Sequence, residues 1–352
     1  MESRELSLYI RGLIPGDKKD ADANRPVSVW KELDRLRGFP EKTVVCIFRT
    51  TGCAWYRFSA CSMCGYFNDT SDNIIDENLF KQVDELYNSL GDAKVVKIFT
   101  SGSFLDPREV SPSVRNYFFE KMKGKVDKIL VESRTEYIRK DILEDIKRHN
   151  IPVRIAIGLE SANDYIMKYS INKGSTLKKY LDAARLIKEE GFELRTYLLF
   201  KPPFISELSA IADVENSVKI SAQYSNDISI NPMNIQKNTL VEKLWKKGLY
   251  RPPRMISLAR ILIEMSGHKY PVLSYPTGGG KERGVHDDKF DKKLLDLIVK
   301  SSLEQNFSEL KEYYSSLDLS LYNYELDLED KLLLQTDYNT LVKRISRSSI
   351  FY

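Results

Sequence analysis

Three thiols, Cys53, Cys61 and Cys64, crowd the stretch GCAWYRFSACSMCGY with the spacing Cys-x7-Cys-x2-Cys. Thiols so placed can form disulfides, hold zinc or seat an iron–sulfur cluster. Four cysteines in 352 residues are too few for a disulfide scaffold. Structural zinc sites usually combine two ligand pairs, and here there is a single C-x2-C. The fourth cysteine, Cys46, sits inside the apolar run VVCIF and reads as a small packed hydrophobe. His149, His268 and His286 lie far off in sequence. Three loop thiolates without an evident fourth ligand suit a [4Fe–4S] cluster with one iron left open to a ligand. Zinc stays as the alternative.

The elements that must position this loop are β-branched runs alternating with amphipathic stretches. Strands are expected at 42–50, 94–102, 126–134, 153–161, 193–200 and 227–232. Leu79, Phe80, Val83, Leu86, Tyr87 and Leu90 form one helical face, and similar patterns fill 111–123, 136–148, 176–190 and 207–222. Gly91, Gly124 and Gly191 stand where C-terminal caps belong. Helical crossovers imply parallel strands, and the near-continuous apolar runs imply a covered sheet. In a doubly wound sheet or a partial barrel alike, ligands gather at the carboxyl ends of the strands.

The residues at those ends are polar. The cysteine loop follows the first strand, Ser101-Gly102-Ser103 the second, Glu132-Ser133-Arg134 the third and Glu160-Ser161 the fourth. Lys201-Pro202-Pro203 follows the fifth, and Asn231 and Asn234 the sixth. Glu160 ends a strongly apolar strand and would be costly to bury unpaired. It either contacts a ligand or pairs with an arginine such as Arg195. Glu132 and Arg134 either bind a ligand or pair with each other across the rim.

Composition sets the outer limits. Hydrophobic residues make up 42% and charged residues 30% of the chain, an ordinary globular balance. The N-terminus MESRELSLYI lacks the apolar core of a signal peptide, and no apolar run approaches the ~20 residues of a membrane span, so a cytoplasmic protein with no membrane partner is expected. A net charge of +4 neither demands nor excludes a nucleic acid. We read 1–40 as an N-terminal extension, 41–270 as the main domain and 271–352 as a mostly helical C-terminal extension.

Cysteines in a loop after the first strand of a partial β/α barrel resemble the radical S-adenosylmethionine (SAM) superfamily. The x7 spacer is longer than the superfamily's usual x3. Together with FTSGSFLD (99–106), VESRTEY (131–137), IGLESAND (157–164) and GGGKERGVH (278–286), it resembles the group holding the Elongator catalytic subunit and the radical-SAM subunit of archaeosine synthase. The resemblance implies an α/β fold, a partial (β/α)6 TIM-like barrel with a helical C-terminal extension. It implies a [4Fe–4S] cluster on Cys53, Cys61 and Cys64, and SAM on the open iron as the source of a 5′-deoxyadenosyl radical. Ser101, Gly102 and Ser103 would approach the methionine end of SAM. Glu132 would accept from the ribose hydroxyls and Arg134 would fork the SAM carboxylate, with Glu160 and Asn231 nearby; Thr135 stands where relatives often carry proline.

The resemblance also implies tRNA as substrate, with a lysine-modified 7-deazaguanine converted to archaeosine by carbon–nitrogen cleavage. It implies a transglycosylase-related partner that attaches the lysine, which the C-terminal helix, through Leu326, Leu332, Leu333, Leu341, Val342 and Ile345, could dock. Lys237, Lys243, Lys246, Lys247, Arg251 and Arg254, interleaved with Trp245 and Tyr250, match either an RNA contact or a solvated helix face. Lys281 and Arg283 after three glycines could cradle a phosphate or be part of a flexible linker. With Cys46 packed in a strand, no second set of cysteines remains for another cluster, which disfavours sulfur insertion. The rival readings are an Elongator-like enzyme with another substrate and a zinc-stabilised RNA-binding protein.

Overall fold

The computed structural model describes residues 2–16, 21–268 and 270–334. Eight strands form one curled sheet in the order of the chain: β1 (Ser28–Leu36), β2 (Phe39–Ile47), β3 (Val95–Phe99), β4 (Lys128–Ser133), β5 (Val153–Glu160), β6 (Glu193–Phe200), β7 (Asp227–Pro232) and β8 (Val272–Leu273). β1 pairs antiparallel with β2, and every later pairing is parallel. β2 to β7 are the six strands that the apolar runs predict, and their curl is the partial barrel that the resemblance implies. The helices are α1 (Glu2–Gly12), α2 (Ala54–Phe58), α3 (Asp76–Ser89), α4 (Pro112–Met122), α5 (Lys140–Lys147) and α6 (Leu177–Glu189), followed by α7 (Glu207–Ser221), α8 (Leu240–Lys246), α9 (Met255–Met265), α10 (Lys292–Glu304), α11 (Ser308–Ser315) and α12 (Ser320–Leu334). None of the described helices is long and apolar enough to cross a membrane.

α3 to α7 cross between parallel strands and bury the predicted faces: Leu79, Val83 and Leu86 of α3 pack with Val44, Cys46 and Ile98 in the main core. Local signals stop and start them. Ser111 caps α4 by accepting from the Val114 amide (3.2 Å), with Pro112 at the first helical position. Gly91, Gly124 and Gly191 follow α3, α4 and α6 with positive φ. Cys46 is fully buried in β2, and burial pushes its thiol far up, as fits a packing residue.

The amino-terminal ends of the parallel strands, with the carboxyl-terminal half of antiparallel β1, turn charges inward and join them across the sheet's curl. Asp34 of β1 meets Lys97 of β3 (2.6 Å) and Arg195 of β6 (3.0 Å), and Arg195 also holds Asp227 of β7 (2.7 Å). Arg154 of β5 bonds Asp227 and, at 2.5 Å, Glu193, which also takes Lys128 of β4 (2.7 Å). The two cations hold the Asp34 carboxyl far below the ordinary carboxylate range against the opposing effect of burial. Removing one partner from such a network leaves an uncompensated buried charge, at a cost of about 3–5 kcal/mol. The network fills one end of the curl, leaving the carboxyl ends of the strands to carry ligands.

The last described helix returns to the same body. α12 packs on α7, with Leu326 in the core, Ser206 donating to Asp330, and Glu329 3.0 Å from Lys201. Leu332 is exposed, and Leu341, Val342 and Ile345 lie outside the described residues.

Candidate active site

The cysteine loop leaves β2 through Thr50 and Gly52, whose amide donates to the Thr50 hydroxyl (3.1 Å). Cys53 immediately precedes α2, and a short helical turn, Tyr66–Asp69, follows Cys64. All four cysteines are free. Burial raises the Cys53, Cys61 and Cys64 thiols, Cys64 to about 11, while Arg134 and Lys173 act the other way. Cys61 and Cys64 feel each other and Cys53 electrostatically, so the three share one neighbourhood. Among the described residues no three His, Cys, Asp or Glu side chains are drawn close enough to grip a single ion.

The loop after β3 comes up against this one. Ser101 donates to the Tyr66 carbonyl (3.1 Å), and the Ser103 hydroxyl accepts from the Arg134 amide (2.9 Å). Gly102 lies so near Cys53 that only a glycine fits. Glu109 fastens the two loops: its carboxyl accepts from the Thr50 hydroxyl (2.6 Å) and from the Ser103 amide (2.7 Å). Burial pushes this carboxyl up to about 7. Glu109 sits in the polar run DPREV, where nothing in the spacing marks it.

The strand-end carboxylates separate from the partners expected of them. Arg134 pairs with Glu136 (2.6 Å) and not with Glu132, and its guanidinium lies over the Trp55 ring. Glu132 is hydrogen-bonded by Tyr197, and burial pushes it up to about 7, with the Glu160 carboxylate adding to the rise. Glu160 meets Lys173 at 2.5 Å and not Arg195, which is spent on Asp34 and Asp227. The Lys173 ammonium also donates to the Gly158 carbonyl (2.5 Å). Glu160 itself adopts a left-handed φ of +65°, where the β5–β6 register shifts. Strained non-glycine backbone clusters at ligand sites. Lys173 lies in a polar loop after the wide π-type turn Ile166–Ile171 and gave no sequence signal. Asn231 accepts from Ser229 (3.0 Å) at the end of β7.

Of the aromatic spacer, Tyr56 is buried against Phe67, and the Trp55 indole donates to the Asn172 carbonyl (2.8 Å). Phe58 is exposed. The cations form a second region, where α8 and the 278–286 loop meet. Arg283 stacks on Trp245, pairs with Glu242 (2.7 Å), and accepts the Ile235 amide at its carbonyl (2.8 Å). Lys246 shares Glu242 (3.4 Å), Arg251 pairs with Asp288 (3.0 Å), and the Lys243 ammonium lies over Tyr9. Lys247 and Lys281 are exposed. A Cβ at Gly284 would overlap the Gly278 carbonyl, so this loop is a packed turn and no free linker.

A cluster fits these residues. The donor set is three free thiols in one neighbourhood, and Gly102 leaves room at Cys53 that a Cβ would fill. The Ser62 hydroxyl, between two of the cysteines, is fully buried with no hydrogen-bond partner among the described residues. Such an orphan donor is what a sulfur-rich acceptor beside it would satisfy.

Comparison with known proteins agrees. The Radical SAM superfamily matches residues 47–214. The archaeosine synthase subunit beta of Methanosarcina acetivorans is 36% identical over 327 residues, 89% of this chain and 93% of that one. The Thermococcus kodakarensis subunit of the same name is 35% identical over 81% of this chain and 92% of its own length. Elongator complex protein 3 of Drosophila melanogaster is 26% identical over 42% of this chain and 26% of its own. Superfamily members bind a [4Fe–4S] cluster and SAM, and those are this protein's cofactors. The chain belongs to the radical SAM superfamily, in the family of the archaeosine synthase beta subunits.

Proposed function

We propose that this radical SAM enzyme modifies tRNA, converting a lysine-modified 7-deazaguanine to archaeosine. The lysine carbon beside the nitrogen loses a hydrogen atom and then an electron, with SAM, cleaved to methionine and 5′-deoxyadenosine, as the net two-electron oxidant. Water adds to the resulting carbon–nitrogen double bond, which breaks to leave the amidine on the base and release the lysine remnant as an aldehyde. A transglycosylase-related partner subunit attaches the lysine beforehand. The observation that carries this reading is the similarity to archaeosine synthase beta subunits along nearly the whole of both chains.

The chain's own residues bind, orient and exclude water. Cys53, Cys61 and Cys64 hold the cluster, which with SAM supplies the radical chemistry. Ser101, Gly102 and Ser103 bring backbone within reach of the methionine end of SAM. Glu132, half-buried and bonded to Tyr197, accepts from the ribose hydroxyls. Arg134, steadied by Glu136 and Trp55, offers its planar fork to the SAM carboxylate. Glu160 and Lys173 form a charge-balanced pair beside them, with Asn231 at the next strand end. Lys243, Lys246, Lys247, Arg251, Lys281 and Arg283 face the RNA backbone.

The test is anaerobic incubation of the reconstituted protein with SAM, a reductant and tRNA bearing the lysine adduct, followed by nucleoside mass spectrometry. Archaeosine should appear with 5′-deoxyadenosine. If 5′-deoxyadenosine forms and archaeosine does not, the substrate is a different one.

A further inference from the structure

We propose that Asn172 is the positioning residue that aims Cys61. This rests on Cys53, Cys61 and Cys64 being the cluster ligands, and it concerns how a spacer of seven residues is held in one shape. A longer spacer has more conformations to lose than the usual short one, so something outside it must fix it.

Asn172 follows the wide turn Ile166–Ile171 and takes a left-handed φ of +57°, a region asparagine tolerates better than most residues. Its buried side chain reaches into the spacer. The amide nitrogen donates to the Ser59 hydroxyl (2.8 Å) and to the Ala60 carbonyl (2.7 Å), and the amide oxygen accepts from Ser7 of α1 (3.1 Å). Its backbone carbonyl takes the Trp55 indole (2.8 Å). On the other side of Cys61, the Ser62 amide donates to the Ile171 carbonyl (2.8 Å). Residues 171 and 172 therefore bracket Cys61, one gripping the peptide before it and the other the peptide after it.

The grip is needed at Ala60. This residue is 2% exposed and has a φ of +78°, which an alanine adopts only when its surroundings impose it. Its carbonyl is the atom Asn172 holds. Without that bond Ala60 can relax to ordinary backbone, and Cys61, one residue on, swings with it. The clamp is itself anchored: Met167 and Ile171 pack with Leu199, Met233, Ile235 and Val241, and against Met63 between Cys61 and Cys64.

The experiment uses the full chain without cluster, under anaerobic conditions, and follows each cysteine's labelling by a small thiol reagent through peptide mass spectrometry. In Asn172→Ala, Cys61 should label at least roughly tenfold faster, since one ordinary hydrogen bond gives about that factor and two donated bonds are lost, while buried Cys46 labels as in the parent. Iron and sulfide bound per chain after reconstitution should fall, and the reduced cluster's electron paramagnetic resonance lines should broaden. Ser7→Ala, which removes only the α1 bond, should match the parent in all three. If Asn172→Ala does not fold, Ser59→Ala, which removes one of the two donated bonds, should still speed Cys61 over Cys46. Parental Cys61 labelling and full iron in Asn172→Ala would overturn the proposal. So would Cys46 accelerating together with Cys61, which would mean that Asn172 merely stabilises the fold.

Discussion

Gly102 rests on the backbone of Cys53: a Cβ built at position 102 would stand 2.6 Å from the Cys53 Cα and 2.8 Å from its nitrogen. The same Cβ would lie 2.3 Å from the Glu109 carboxyl that ties the two loops together. Neither neighbour can give way cheaply, since one is backbone and the other is held by Thr50 and Ser103. Gly102→Ala should therefore cost about 1–3 kcal/mol, as overpacking does. It should also displace Cys53. Denaturant unfolding of the cluster-free protein reads the first effect, and iron bound per chain reads the second; a variant with parental stability and full iron would refute the close approach.

How much of this was readable beforehand follows from where each signal lies. β2 to β7 announce themselves because their sides are buried in apolar surroundings, and Cys53, Cys61 and Cys64 because their spacing is rare. β1 does not: SVWKELDRL turns Glu32 and Asp34 inward to Lys97, so the strand has charges where a core-facing period would show apolar residues. Glu109, Asn172 and Lys173 sit in polar loops, where residue type says nothing about partners. Arg195 and Arg283 show the limit from the other side. Each was visible as a cation, yet Asp34 with Asp227, and Glu242, decide what that cation does.

Lys173 balances Glu160 in a pair of which each side chain is mostly buried. Lys173→Met removes the cation and leaves Glu160 beside Glu132 with no counter-charge. The variant should lose about 1–3 kcal/mol, the cost of a stranded buried polar group. Adding Glu160→Gln should recover part of that loss. A double-mutant cycle by chemical unfolding measures the coupling; strictly additive losses would mean the two side chains do not act on each other.

Asp213 of α7 accepts from Ser161 (2.8 Å), while its second carboxyl oxygen is buried without a partner among the described residues. Burial pushes its pKa up to about 6 from 3.8. Between those values the folded chain binds the proton and the unfolded chain does not. Stability is therefore highest below the unfolded pKa and declines as pH rises towards 6, by at most ~1.4 kcal/mol per pH unit. Asp213→Asn keeps an acceptor for Ser161 and removes the charge. It should stabilise the protein at pH 7 and change little at pH 4, as read by unfolding at the two values. Equal effects at both would show that the carboxyl does not titrate in this window.

The cations near α8 divide by what they already hold. Arg283 is committed to Glu242, Trp245 and the Ile235 carbonyl, and Arg251 to Asp288, whereas Lys281 projects from its packed turn into solvent. A phosphate gains most from a cation it need not share. Lys281→Ala should weaken tRNA binding at every sequence alike and lower the slope of log affinity against log salt by about 0.7–0.9. Arg283→Ala should act first on the protein, releasing the 278–286 loop from α8 and lowering the melting temperature. Filter binding across a salt series, set beside thermal melts, separates the two effects. If Lys281→Ala leaves the salt slope untouched, the RNA backbone does not cross this loop.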